Sequence, residues 1–265
     1  MNILLSINYK FFNELPYNLI EKIENMDKDK NISGFEVTTD SKTEEEYTIE
    51  LAKIAKQKNY ILNLHSPAYE SKKQYNDYLD FCILISKIMQ QKINVVLHPL
   101  DAKNLEKSKK ITKKAIKQIY RYIKSKKYEN YIEISIENLN NLHGNDRLKR
   151  EDLVEILEQN EKLKFTYDIG HEYAEQVQSK LEDEILLERV NNIHTHTTRN
   201  NKDHYPIEAE DEKMIHITKN IVNTISKNKN YDKINVVLEY ALDYMQGVTF
   251  KEKLEKYIES ANIIK

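Results

Sequence analysis

The chain has 265 residues, with 41 Lys and Arg against 43 Asp and Glu and a formal net charge of −2. Its 40% hydrophobic and 32% charged content excludes a mostly disordered chain, and the near-neutral balance excludes wholesale capture by nucleic acid, although not a local basic patch. The one cysteine, Cys82, rules out an internal disulfide, and no apolar run approaches the roughly 18 residues of a membrane span.

Taken in chain order, one unit repeats: a short apolar run ending in a polar residue, then a longer helical pattern. The N-terminal Met1-Asn2-Ile3-Leu4-Leu5 has no basic region and no long apolar core, so it reads as a buried strand and not a secretion signal. A cytoplasmic location is expected. The apolar runs are Ile3–Asn8, Gly34–Thr38, Ile61–His65, Ile93–His98, Ile132–Glu137, Lys164–Asp168, Ile193–His196 and Ile234–Glu239. Several are β-branched and nearly continuous, the pattern of parallel strands buried on both faces.

The intervening segments carry helix signals. Thr43-Glu44-Glu45-Glu46 reads as a capping box before the stripe Leu51, Ile54, Ala55, and Thr249-Phe250-Lys251-Glu252 repeats the box before Leu254, Tyr257 and Ile258. Tyr78–Met89 and Ile111–Ile123 are also amphipathic. The basic segment Lys103–Lys127 could touch phosphates, but the spacing of Ile111, Ala115, Ile119 and Tyr122/Ile123 favours an outer helix with a solvated lysine face. Eight strands alternating with helices predict an α/β fold, a single-domain (β/α)8 TIM barrel over residues 1–265. A doubly wound sheet is the rival. It lacks a glycine-rich phosphate fingerprint after the first strand.

The polar residues cluster at strand ends: His65, His98, Glu137, Asp168 with His171, His194 with His196, His204 just beyond, and Glu239. In a (β/α)8 barrel these ends open onto one face, so residues remote in sequence converge. Carboxylates crowded together repel and buried imidazoles need partners; a divalent cation satisfies both. His194 and His196, two apart on a strand, point to one side. His143 and His216 lie off the strand ends and read as ordinary surface or structural histidines.

The segments Leu64-His65-Ser66-Pro67-Ala68-Tyr69, Val96-Leu97-His98-Pro99, Ile136-Glu137-Asn138, Tyr167-Asp168-Ile169-Gly170-His171, Ile193-His194-Thr195-His196, Asp203-His204-Tyr205-Pro206 and Leu238-Glu239-Tyr240 span nearly the whole chain. Together they resemble the xylose isomerase-like barrels, a superfamily that holds sugar isomerases and epimerases and also endonuclease IV of the family 2 AP endonucleases. The resemblance implies a central metal site at Glu137, Asp168, His194 and Glu239, with both Glu also acting as acid and base in the sugar enzymes. It implies a second site at His65, His98 and Glu137 and a third at His171 and His204. The sequence departs from the endonuclease pattern there: Lys202 stands two before His204, and Asp203 is adjacent to it, so either could take the third position. The following glycine-rich stretch is replaced by Ile207-Glu208-Ala209-Glu210.

The leading expectation is therefore an isomerase or epimerase of a sugar, sugar phosphate or hydroxy-ketone, using one to three ions of Zn, Mn, Mg or Co. Glu137 and Glu239 transfer the proton through a metal-stabilised enediolate, and His171, His196, Arg199, Lys202 and Tyr69 are candidate substrate contacts. The alternatives are a zinc-dependent phosphodiesterase acting at abasic sites in DNA and a non-catalytic metal- or ligand-binding barrel. No membrane partner is expected, and homo-oligomers are common among barrels of this resemblance.

Overall fold

The structure is a computed structural model that describes residues 1–8, 14–39, 41–67, 72–141, 147–200, 202–228, 234–241 and 249–265. The elements run β1 (Asn2–Ile7), α1 (Pro16–Met26), β2 (Ile32–Thr38), α2 (Lys42–Lys58), β3 (Ile61–His65), α3 (Lys72–Met89), β4 (Ile93–Leu97), α4 (Leu105–Lys126), β5 (Ile132–Glu137), α5 (Arg150–Glu158) and β6 (Lys164–Asp168). They continue with α6 (Ile169–Ala174), α7 (Glu184–Arg189), β7 (Val190–Thr195), β8 (Thr197–Arg199), β9 (Lys202–Tyr205), α8 (Glu212–Asn228), β10 (Asn235–Leu238) and α9 (Phe250–Ile264). Strands β1 to β7 and β10 close a parallel barrel in the order β1-β10-β7-β6-β5-β4-β3-β2. The eight expected strands are these eight, to within a few residues at their ends.

Alternation along each strand separates two environments. On β4, Ile93, Val95 and Leu97 join the apolar layer beneath the helices. Asn94 faces the other way and accepts a hydrogen bond from Asn191 Nδ2 at 3.1 Å. The apolar layer carries most of the stability, at about 1.5–3 kcal/mol for each fully buried Ile or Leu. The barrel interior is polar: Glu36, Asn63, Ser135, Thr166 and Asn192 are all buried there, and Thr166 Oγ1 donates to Ser135 Oγ at 2.7 Å. Gly34 keeps β2 close to β3, since a Cβ at this position would lie 2.1 Å from the Ile61 carbonyl oxygen.

Helix α4 buries Ser108, Thr112, Ile116, Ile119 and Ile123. Its lysines stay at the surface, where Lys109 pairs with Asp152 at 2.9 Å and Lys113 pairs with Glu155. This is the outer helix that the spacing favours. Its buried stripe runs through Ile116 instead of Ala115, which is half-buried. No helix among the described residues is long and apolar enough to cross a membrane. Cys82 is a buried free thiol.

Two local features differ from the sequence expectation. The hairpin β8–β9, antiparallel with Arg199 opposite Lys202, projects from the end of β7 and was not expected. The cap of α2 is Ser41, whose Oγ accepts from the Glu44 backbone N–H, with Glu44 reaching back; Thr43 is already inside the helix. Either register of the run Ser41–Glu46 supplies a hydroxyl three residues before a Glu, so the pattern alone leaves the choice open. Ser41→Ala should therefore lower stability by about 1 kcal/mol, while Thr43→Ala should stay within about 0.5 kcal/mol. Urea unfolding midpoints of the two variants check the difference.

Candidate metal centre

Glu137 ends β5, Asp168 ends β6, His194 lies near the end of β7, and Glu239 directly follows β10. One ligand atom from each lies within 4.8 Å of the other three. His194 Nδ1 is 3.0 Å from Glu239 Oε2, 3.4 Å from Glu137 Oε1 and 3.9 Å from Asp168 Oδ2. All four atoms are buried and make no hydrogen bond among the described residues. Buried polar atoms are rarely left unpaired, and these four orphans face one another. Three carboxylates at such separations repel by several kcal/mol per pair at the dielectric typical of proteins. A divalent cation bound by the four removes both problems, and mixed carboxylate and imidazole donors suit it.

The charges on the groups show the same strain. Burial would raise the Glu137 carboxyl, but the His194 charge, together with His65 and His98 on its other oxygen, holds it well below the ordinary carboxylate range. Glu239 is likewise held low: burial and the Glu137 charge raise it, but the His194 charge and the His194 and His204 imidazoles facing it together prevail. Burial opposes the charge on His194, yet Glu36, Glu239 and Glu137 raise its pKa well above the ordinary value. Without a cation, a proton on imidazole does part of the cation's work.

Two further groups flank the centre. His65, His98 and Glu137 form one, and Asp168, His171, His196 and His204 the other. Glu137 Oε2 lies 3.1 Å from His65 Nε2 and 3.3 Å from His98 Nε2, while its Oε1 belongs to the central set. Glu137 and Asp168 are thus shared between groups.

The outer nitrogen of each histidine decides whether it can bind an ion. A carbonyl or carboxylate oxygen only accepts, so the ring nitrogen facing it carries the proton and leaves the other nitrogen free. His65 Nδ1 faces the Ser66 carbonyl at 3.1 Å, and His171 Nδ1 faces the Asn138 carbonyl at 2.8 Å. His204 Nδ1 faces Asp203 Oδ1 at 3.0 Å, and His194 Nε2 faces Glu36 Oε1 at 2.7 Å. All four therefore turn the other nitrogen inward, where it can serve as a ligand once a cation displaces the proton it carries. His196 is reversed: its Nδ1 accepts the His204 backbone N–H at 3.0 Å, so Nε2 carries the proton. Burial, then the His204 charge, lowers its pKa and keeps it neutral. His196 is a donor 3.4 Å from Asp168 Oδ1, not a ligand.

The hairpin explains how His204 arrives. Its φ of 60° is left-handed, which costs a non-glycine residue about 1 kcal/mol or more. The His196 bond and the hydrogen bond from the Ala241 N–H to the His204 carbonyl, at 2.9 Å, hold it there. Gly170 makes room for His196, since a Cβ there would fall 2.4 Å from the imidazole. Asn138 clamps the Asp168 backbone from both sides, donating to its carbonyl and accepting from its N–H, each at 2.9 Å.

Several expected site residues take other places. Asp203 stands behind His204, bonded to its outer Nδ1, and also accepts from Asn140 Nδ2 at 2.7 Å. Arg199 Nη2 is bound to Asp211 at 2.8 Å and Glu208 at 3.0 Å, so its charge is neutralised within the hairpin region. Lys202 is exposed on β9 and belongs to none of the ligand groups. Tyr69 and His143 lie outside the described residues, and His216 is exposed on α8. The sequence reading missed Glu36, Asn138 and Asn192. An acidic residue inside the apolar run Gly34–Thr38 was the available signal for Glu36.

Burial works against a charged His65, but Glu137 and then Glu239 and Glu36 lift its pKa to about 9. Raised above the unfolded value, this proton stabilises the metal-free chain fully below about pH 6.5, and the contribution is lost as pH climbs through about 9. An ion must displace the same proton. The melting point of the metal-free protein should fall between pH 6.5 and 9, while the rise on adding zinc or manganese should grow over that range. Thermal scans with and without metal check both trends.

No curated protein sequence matches the chain. Solved structures share its fold: a D-psicose 3-epimerase from Clostridium cellulolyticum H10, 14% identical, with 98% of each chain covered and a TM-score of 0.65. A Thermus thermophilus protein soaked with zinc chloride is 15% identical over 96% of this chain and 98% of that one, with a TM-score of 0.55. A family 2 AP endonuclease from Brucella melitensis is 12% identical over 90% and 92%, with a TM-score of 0.52. The sequence profile of the xylose isomerase-like TIM barrels matches residues 17–265, and with the closed eight-stranded barrel it establishes that the chain belongs to this family.

Proposed function

We propose that the chain is a metal-dependent hydrolase of phosphate esters, with a phosphodiester such as DNA carrying an abasic site as the substrate to try first. The observation that carries this reading is Glu137: one oxygen sits in the central group, and the other sits between His65 Nε2 and His98 Nε2. A carboxylate shared in this way fits a centre of more than one ion. Such ions, when bound, activate water and offset the charge on attacking and leaving oxygens of a phosphoryl group.

The same geometry weakens the proton-transfer reading. Glu137 is fully buried, with Oε2 held between His65 and His98 and Oε1 turned to the central set, so it lies away from the open edge where a substrate would enter. Glu239 is the most exposed of the three central carboxylates, its side chain 16% accessible. It is the group placed to take a proton from an attacking water. His98, more open still, stands at the rim, where it can meet the substrate phosphate. The hydrogen-bonded outer nitrogens of His65, His171 and His204 keep their rings from turning as substrate enters.

One observation favours a second reading. Glu239, partly open to solvent, would carry a single proton for an isomerase acting on a sugar, the class of molecule in the structure of the neighbouring D-psicose 3-epimerase with D-tagatose. The two readings separate on His98. Hydrolysis of an abasic-site duplex or of bis(p-nitrophenyl) phosphate by zinc- or manganese-loaded protein should fall about 100-fold or more in His98→Ala, the scale of losing one preorganised charge-stabilising group. Ketose isomerisation, if that is the activity, should change little in the same variant. Absence of phosphoester cleavage with metal bound would overturn the hydrolase reading.

A further inference from the structure

We infer that Glu36 is a positioning residue of the metal centre: it holds His194 in the one tautomer and orientation that aims Nδ1 at the central ion. The inference rests on the metal reading of the site. Glu36 lies on β2 and His194 on β7, strands separated in the barrel order by β1 and β10. Their contact therefore crosses the barrel interior. Glu36 is 1% exposed, with Oε1 2.7 Å from His194 Nε2.

Asn192, two residues before His194 on the same strand, donates from Nδ2 to Glu36 Oε2 at 2.9 Å. The same Nδ2 is 3.2 Å from His194 Nε2. The carboxylate is nearer and can only accept, so the ring proton belongs to Nε2 and the amide hydrogen goes to Glu36. Asn192 and His194 thus both donate to Glu36, and Nδ1 is the ring nitrogen left turned toward the central ion.

A barrel interior is ordinarily filled by branched apolar residues. A buried carboxylate is a costly filler, and replacing such groups by apolar ones often leaves a fold as stable as before. Packing alone therefore gives no reason for an acid at position 36. Orientation of a metal-binding imidazole does, since a carboxylate on its outer N–H fixes the ring and raises its basicity. The neighbouring carboxylates make this more pressing. His194 Nδ1 has three acidic groups around it, and a turned ring would present a proton to the ion.

The test is chelator competition for zinc and for manganese on the full chain, with bound metal counted at saturation, for wild type, Glu36→Gln and Glu36→Ala. Glu36→Ala should weaken apparent affinity about 10–100-fold with the ion count per chain unchanged. Glu36→Gln, whose amide oxygen still accepts the Nε2–H, should recover most of that loss. If Glu36→Ala does not fold, Asn192→Ala should weaken affinity in the same direction. Wild-type affinity in a folded Glu36→Ala or Asn192→Ala protein overturns the inference. So does a lower ion count at saturation, because Glu36, His65 and His194 also lie within ligand reach of one another and that result would make Glu36 a ligand. A wild-type chain that holds no ion overturns the metal reading itself.

Discussion

Crowding of like charge in a space closed to water is the constraint on which this molecule turns. Glu137, Asp168 and Glu239 bring three carboxylates around His194 Nδ1, with their inward atoms unpaired. Folding such a group costs repulsion and desolvation at once. Hydrogen bonds from neighbouring imidazoles offset part of that in the bare chain, and a cation offsets it better. The rest of the strand-end face can be understood as what is needed to hold this set in place. That face includes the polar interior beneath it, the clamp of Asn138 on Asp168 and the left-handed His204.

Preorganisation here is achieved through the far side of each ring. Four histidines turn one nitrogen inward because a carbonyl or carboxylate occupies the nitrogen facing outward. The same rule, applied to His196, gives the opposite answer and removes it from the ligand set. Identity of the residue does not distinguish these cases. The partner of the remote nitrogen does, and that partner comes from a different strand or from a loop.

The position of Glu137 is what the proposed phosphoester chemistry rests on. Because its second oxygen is held between His65 and His98, it bridges groups instead of facing a substrate. Glu239, at the open edge, retains the freedom that Glu137 has lost. Two glutamates that look equivalent along the sequence thus differ in setting: imidazoles flank both, but Glu137 is fully buried and Glu239 is partly open to solvent. Farther out, Lys109 and Lys113 of α4 pair with Asp152 and Glu155, and Arg199 pairs with Glu208 and Asp211.

The amino-acid sequence by itself determined the barrel. Short β-branched runs alternating with amphipathic stretches leave few arrangements that bury both faces of every strand. Polar residues at the run ends then have to meet on one face. Residues such as His65, Glu137, Asp168 and Glu239 were legible for that reason. What lay beyond the sequence was every relation that crosses the barrel or depends on a turn. Glu36 looked like one strand residue among others until β2 was set across from β7. Asp203 and Lys202 were rival candidates for the third position until the β8–β9 hairpin put Asp203 behind His204. The tautomers, and with them the choice of ligand, were decided only when the folded chain brought a particular oxygen or N–H to the outer nitrogen of each ring.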